Sequence, residues 1–430
     1  MGKKAVKFGG TSLCDAAQMK KAAEIVRSDT ERSVVVVSAP GKRTPKDEKM
    51  TDLLLRMDKT DSFSEREAVF AVIYERLNDI TEKLGLTLDF SNEFDMILRE
   101  FHGDALISRG EYFCAKIFAA YLGFHFLDAA DVIFFREDGA VDEEKTRYVL
   151  GRAIETYQTV VIPGFYGSLP NGEIHIFPRG GSDITGAIAA DAANADVYEN
   201  FTDVCGLLLA DPKIVENPKT VPAVSYRELR RLSSMGATVL HADSILPLYQ
   251  SKIPIVIRNT NAPKGDCTWI LPQKEKCAVS GIVGQKGYTL FSVSRTRIGE
   301  DIFAFRELLA LFGEYTSSVY STPRTVDACG ILVRSEDISD VKETIIRRIY
   351  HDFHGDNVIL TEELALLSVI SECSASQNAA TLLRVMEDMG AYPILLDGGA
   401  DHLGITVGFR SCYLEELIRR LYAKFEKEIF

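Results

Sequence analysis

Over the first 260 or so residues, short β-branched runs alternate with longer stretches of helical period, the sequence form of an α/β domain on a mostly parallel sheet. Val34-Val35-Val36-Val37, closed by Ser38-Ala39-Pro40-Gly41, reads as a strand buried on both faces and then a turn. Thr159-Val160-Val161-Ile162 before Pro163-Gly164, and Ile253-Pro254-Ile255-Val256-Ile257, read likewise. Helices are expected from Leu13 to Arg27, from Ser108 to Leu122 and from Asp183 to Asn194, the last rich in alanine, the strongest helix former.

The texture changes after a polar, proline-punctuated stretch, Pro263-Lys264-Gly265-Asp266 and then Pro272 to Lys276. Beyond it the pattern predicts a strand at Thr289 to Val293, a helix at Ile302 to Phe312, strands near Tyr315 to Tyr320 and Val326 to Val333, and a helix at Ile338 to Tyr350. A similar order recurs: strand at Ala365 to Ile370, helix at Ala375 to Met389, strands at Ile394 to Leu396 and His402 to Phe409, helix at Tyr413 to Phe425. This is the pattern of a duplicated small α+β module of the ferredoxin-like kind. Neither copy is dense in catalytic side-chain types, so sensing or assembly is the role expected of this half.

Candidate chemistry gathers in two glycine-dense polar loops, each between a strand-like and a helix-like stretch: Val6-Lys7-Phe8-Gly9-Gly10-Thr11-Ser12 and Phe177-Pro178-Arg179-Gly180-Gly181-Ser182-Asp183. Glycine lets backbone approach an anion, and a helix start turns unpaired N–H groups toward it, so such loops suit a phosphorylated ligand. Neither loop is G-x-x-x-x-G-K-[ST] or G-x-G-x-x-G, which argues against a P-loop NTPase and a dinucleotide-binding dehydrogenase.

Composition narrows the partners. At 430 residues, two or three domains are expected. The net charge of −13 speaks against nucleic acid, and no apolar run approaches the length of a membrane span. With no signal-peptide pattern at the start, a cytoplasmic protein is expected. The eight cysteines are scattered without a C-x-x-C, which suits reduced thiols, and His351 and His354 lack a third ligand, so no protein-held metal site is expected.

With both loops in this order and the duplicated module behind them, the whole chain resembles an aspartokinase. The resemblance implies an amino acid kinase domain over 1–272, a first ACT domain over 278–352 and a second over 358–430. It implies transfer of the γ-phosphoryl group of ATP, with magnesium, to the side-chain carboxylate of L-aspartate, the opening step toward lysine, threonine and methionine. Lys7 then corresponds to the family's catalytic lysine, beside Gly9 and Gly10 at the nucleotide phosphates. Ser38 corresponds to a serine near the transfer centre, although it equally closes a turn. Thr51 corresponds to a contact of the substrate, although it equally reads as a helix N-cap. Glu111, in Ser108-Arg109-Gly110-Glu111, is matched to the carboxylate that receives the substrate ammonium; its alternative is a glutamate placed for a helix first turn. Arg179 is matched to the guanidinium that holds a substrate carboxylate, with Ser182 beside it. Asp183 is matched to the aspartate that organises the catalytic lysine, and as a helix cap it would also be ordinary.

The resemblance further places the nucleotide on Thr202 and Asp203 and on Ala210-Asp211-Pro212-Lys213, a segment that alone reads as a plain turn. Two departures stand out: Leu207-Leu208-Leu209 occupies a place where relatives often carry a tyrosine, and Thr238 one where they often carry a phosphate-contacting lysine. Lys213 is the cation expected to compensate. Regulation is implied too, by lysine or threonine acting on a homodimer or higher homo-oligomer, with Ser294, Asp301 and Ser318 the effector-facing positions of the first module. Two rival readings stand beside this one. They are a kinase of the same fold acting on another acceptor, such as glutamate or carbamate, and a catalytically impaired paralogue that senses amino acids.

Overall fold

The computed structural model describes residues 2–178, 180–236, 240, 242–274, 278–353, 355–372 and 375–428. Arg179, Thr238 and His354 lie outside these, so the expectations attached to them are carried no further. The chain divides into two compact units: Met1–Leu207 with Thr220–Ser233 and Thr238–Glu275, and Leu208–Lys219 with Ser234–Ala237 and Lys276–Phe430. No described helix is long and apolar enough to cross a membrane.

In the first unit the strands are β1 (Lys4–Phe8), β2 (Arg32–Val37), β3 (His125–Phe126), β4 (Val160–Pro163), β5 (Tyr166–Ser168), β6 (Ile174–Ile176), β7 (Val197–Thr202), β8 (Ala223–Ser225), β9 (Ile255–Asn259) and β10 (Ala262–Leu271). Eight of them form one sheet in the order β3-β4-β2-β1-β7-β9-β10-β8, parallel except for the β9/β10 pair, while β5 and β6 make a separate antiparallel ribbon. Val34 to Val37 are wholly buried, as expected of a strand covered on both faces.

Alternation divides the central strands between two helical layers. Val6, Phe8, Val35, Val37, Val161 and Phe201 share one apolar core with residues of helices Ala16–Arg27, Met50–Lys59, Phe63–Lys83, Ser91–Arg99 and Arg109–Leu122. Lys7, lying between Val6 and Phe8, is therefore turned to the opposite face, which carries helix Gly181–Ala192. That helix approaches closely because it is small-sided: a Cβ on Gly186 would lie 2.3 Å from the Tyr198 hydroxyl.

The second unit holds β11 (Gly281–Ser294), β12 (Arg324–Thr325), β13 (Ala328–Arg334), β14 (Asn357–Ile370), β15 (Leu395–Asp397) and β16 (Gly404–Arg410) in the order β12-β13-β11-β14-β16-β15. All of its pairings are antiparallel. The long strands β11 and β14 run side by side from Gly281↔Ile370 to Ser294↔Asn357. Their outer neighbours divide them, since β13 pairs with Tyr288 to Ser294 and β16 pairs with Leu364 to Ile370. Two βαββαβ patterns result, and residues 281–286, which precede the first in sequence, complete the sheet of the second. The register shifts at mid-strand, where Gly287 has φ +92° and Glu363 φ +54°, so a residue free of Cβ strain sits at one side of the bend.

Several boundaries differ from the expectations for physical reasons. The helix expected from Leu13 breaks: Gly10–Leu13 is a 3-10 turn, and the α-helix starts at Ala16 behind Asp15, whose carboxylate caps the Gln18 N–H at 2.8 Å. Tyr315 to Tyr320 is not a strand; the edge is reached only by a bridge from Ser321 to Leu332 and then by β12. The helix expected from Ile338 starts at Lys342 after a short 3-10 turn.

Candidate active site

The carboxyl edge of the parallel sheet, where ligands settle in open α/β folds, gathers most of the candidates. Lys7, near the end of β1, is buried with 7% of its surface exposed, and its Nζ lies 2.6 Å from Asp183 Oδ1. Asp183 stands in the first turn of helix Gly181–Ala192, where a negative side chain meets the positive end of the helix. It is not the cap: Gly180 takes that position with φ +82°. Ser182 lies against the end of β4, because a Cβ on Gly164 would be 2.7 Å from the Ser182 Oγ.

Backbone contacts draw the loops after β1 and β2 together. Ser38 N–H donates to the Phe8 carbonyl at 3.1 Å, and Gly41 N–H to the Gly10 carbonyl at 2.8 Å. Gly10 and Gly41 are in such close approach that a Cβ on Gly10 would meet the Ala39 carbonyl at 2.8 Å. On the other side, Gly9 N–H donates to the Phe201 carbonyl at 2.9 Å, which brings the end of β7 to the same edge. There the Thr202 hydroxyl donates to Asp203 at 3.1 Å.

Glu111 occupies the first turn of helix Arg109–Leu122 and is 5% exposed. The first-turn placement given as its alternative reading is therefore observed. One carboxylate oxygen is buried and has no partner among the described residues. Burial pushes its carboxyl up to about 8, against the opposing pull of the Ala39 backbone N–H, its own N–H and the Arg109 charge. Gly110 makes this possible: a Cβ there would lie 2.8 Å from the Ala39 side chain and 3.2 Å from Met50. Thr51 sits on the second helical position of Met50–Lys59. Lys49 is the N-cap residue, which corrects the capping reading of Thr51.

Arg76 is an element that sequence reasoning did not single out. From the helix Phe63–Lys83 its guanidinium donates to the carbonyls of Gly41 at 2.6 Å and Glu48 at 2.9 Å, and lies 3.6 Å from Asp47. It is 2% exposed, so it ties down the loop that carries Ala39 and Gly41 from inside the protein. Arg76→Ala is expected to lower stability by about 2 kcal/mol, since the carbonyls of Gly41 and Glu48 lose their donor and Asp47 is left with Arg43 alone. Urea unfolding followed by circular dichroism checks this, and a change under 1 kcal/mol would contradict it.

The remaining candidates belong to the second unit. Asp211 accepts the Lys213 backbone N–H at 2.8 Å, the geometry of the turn expected there. Asp301 caps helix Ile302–Gly313 through the N–H groups of Phe303 and Ala304, and pairs with Arg295 at 2.8 Å. These contacts, the Ala304 N–H foremost, hold its carboxyl below the usual range. Ser294 ends β11, and the Ser318 N–H donates to Thr316 at 3.1 Å.

Residues 3–259 match the model of the amino acid kinase family. Over 98% of both chains, the sequence is 32% identical to aspartokinase 3 of Bacillus subtilis. The fold superposes on the aspartate kinase of Clostridium acetobutylicum with a TM-score of 0.91 at 34% identity, covering 99% of this chain and 100% of that one. Aspartokinase III of Escherichia coli, solved with aspartate and ADP, shares the fold at a TM-score of 0.74 and 21% identity, over 99% of this chain and 100% of that one. A buried lysine–aspartate pair at a glycine loop, a sheet of this topology and likeness along its full length agree: the chain belongs to the amino acid kinase family, and within it to the aspartokinases.

Proposed function

We propose that the first unit transfers the γ-phosphoryl group of ATP to the side-chain carboxylate of L-aspartate, giving 4-phospho-L-aspartate and ADP. The observation that carries this reading is Glu111, a buried carboxylate with one oxygen left unpartnered among the described residues, close to the lysine-bearing edge. An enclosed acid of this kind gains most from an incoming ammonium, because the charge-assisted hydrogen bond replaces none already made.

The chemistry asks little covalent work of the protein. A carboxylate oxygen attacks the γ-phosphorus, the bond to the β,γ-bridging oxygen breaks, and the electron pair leaves on ADP. The nucleophile is already ionised, so no general base is needed; positioning and charge stabilisation must supply the rate. In this reading Lys7 meets charge on the transferring group, Asp183 holds the lysine, and backbone at Gly9 and Gly10 leaves room for phosphate. Ser38, Thr51 and Ser182 complete the acceptor side, and Thr202 and Asp203 the nucleotide side. Among the described residues, no three His, Cys, Asp or Glu side chains cluster as a metal site. A magnesium ion that arrives on the phosphates needs none, because water and phosphate oxygens supply most of its ligands and it neutralises phosphate charge.

Incubation with ATP, magnesium and L-aspartate, with hydroxylamine trapping the acyl phosphate and glutamate run in parallel, tests the reaction. Hydroxamate from aspartate alone is the expected result; none, or equal yield from glutamate, overturns the reading. For the second unit we propose regulation through paired ACT modules over 278–352 and 358–430 in a homo-oligomer, with lysine or threonine as effector. Aspartokinase III of Escherichia coli has been solved with lysine as well as aspartate. Unchanged activity with millimolar lysine and threonine, alone and together, would refute that control. Lys213→Ala is expected to weaken nucleotide binding roughly tenfold; unchanged KM for ATP and unchanged turnover would remove Lys213 from the phosphate site.

A further inference from the structure

We infer that Asn200 is a positioning residue for phosphoryl transfer, fixing the Asp183 carboxylate that aims Lys7. The inference rests on the roles of Lys7 and Asp183 proposed above. Asn200 and Lys7 are register partners on the parallel neighbours β7 and β1, so both side chains point to the face that carries helix Gly181–Ala192. The Asn200 amide donates to Asp183 Oδ1 at 2.9 Å, and Lys7 Nζ lies 2.6 Å from that same oxygen.

The row of residues across the sheet makes the choice of side chain informative. Following the register from β4 through β2, β1 and β7 to β9, it reads Ile162, Val36, Lys7, Asn200, Ile257. The three outer positions are buried apolar residues, as the centre of such a sheet demands. Only the two that reach Asp183 are polar. Asn200 is itself 3% exposed, and its Oδ1 is enclosed without a partner among the described residues. The hydroxyl of Tyr198, two residues earlier on the same face, is enclosed in the same way. A purely structural position would avoid that cost with an apolar side chain.

An amide suits the task where a charged group would not. A lysine on its flexible stem leaves a carboxylate free to turn, whereas a second donor from a rigid strand fixes it. A cation at residue 200 would compete with Lys7 for Asp183, and an acid would repel Asp183. The amide adds a hydrogen bond and leaves the charge balance unchanged.

The test compares Asn200→Leu, Asn200→Asp, Asp183→Asn and the double variant Asp183→Asn with Asn200→Leu, in the full chain. Asn200→Leu is expected to lower kcat about tenfold to a hundredfold, with KM for ATP and aspartate within about threefold of the unmodified protein. In the Asp183→Asn background the same change should cost nothing further, because Asn200 acts through that carboxylate. Asn200→Asp places a second acid against Asp183, and should move the acid limb of the kcat–pH profile upward by about one unit. The titratable groups facing Asp183 there are Lys7 on β1 and Tyr198 on β7. A kcat for Asn200→Leu within twofold of the unmodified protein, or a full additional loss in the double variant, overturns the inference. Should the leucine variant not fold, an unmoved acid limb in Asn200→Asp overturns it. Full turnover in Asp183→Asn would defeat the underlying reading itself, a result distinguishable from failure at Asn200 alone.

Discussion

Lys7→Met is expected to cut turnover by about a thousandfold or more, the scale on which charge-stabilising groups act in phosphoryl and acyl transfer. Methionine keeps most of the aliphatic stem facing helix Gly181–Ala192 but withdraws the ammonium 2.6 Å from Asp183. Both partners are mostly buried, so the single change leaves an uncompensated carboxylate and should destabilise the fold by roughly 3 kcal/mol. Adding Asp183→Asn should return most of that stability and none of the activity. Steady-state turnover and urea unfolding on the two variants separate the contributions. If Lys7→Met retains a tenth of the turnover, the lysine does not meet the transferring group.

Glu111→Gln should raise the KM for aspartate about a hundredfold, because an amide offers the ammonium no charge while filling the same enclosed place. Its second consequence runs through pH. With the folded carboxyl pushed up to about 8 from an ordinary 4.5, the folded chain holds a proton that the unfolded chain has released between those values. The contribution of this group to stability is therefore fully present below about 4.5 and is lost as pH rises toward 8. Glu111→Gln removes that loss, so its unfolding free energy should gain on the unmodified protein between pH 6 and pH 8.5, by an amount on the order of a few kcal/mol. Aspartate binding to the unmodified protein should strengthen as pH rises through the same window, with a proton released on binding. Calorimetry in two buffers of different ionisation enthalpy reads that proton. A binding constant flat from pH 6 to 8 would contradict the account.

How far the sequence spoke depended on whether a feature was local. The Val34 to Val37 run, the alanine-rich helix and both glycine loops announce themselves within a dozen residues, and the strand and the helix lie where the pattern put them. Glu111 was legible as a residue but not as a buried, half-satisfied acid, since its state depends on the Ala39 loop and on Gly110, which lets Met50 come close. Asn200 and Arg76 could not be read at all. One owes its role to register between β1 and β7, the other to a guanidinium reaching two carbonyls about 30 residues away, and neither leaves a periodic trace. In the second unit the full length of β11 and β14 was hidden for a related reason. Gln285-Lys286-Gly287 and Glu362-Glu363 interrupt the apolar alternation where those strands bend, so each was read only in part.

A crystal structure of the chain with a non-hydrolysable ATP analogue, magnesium and L-aspartate tests the central claim most directly. The account predicts the aspartate ammonium within about 3.2 Å of the Glu111 oxygen that has no partner among the described residues, and Lys7 Nζ against the γ-phosphate. Aspartate bound elsewhere, or Lys7 still paired with Asp183 alone and remote from phosphate, would contradict it.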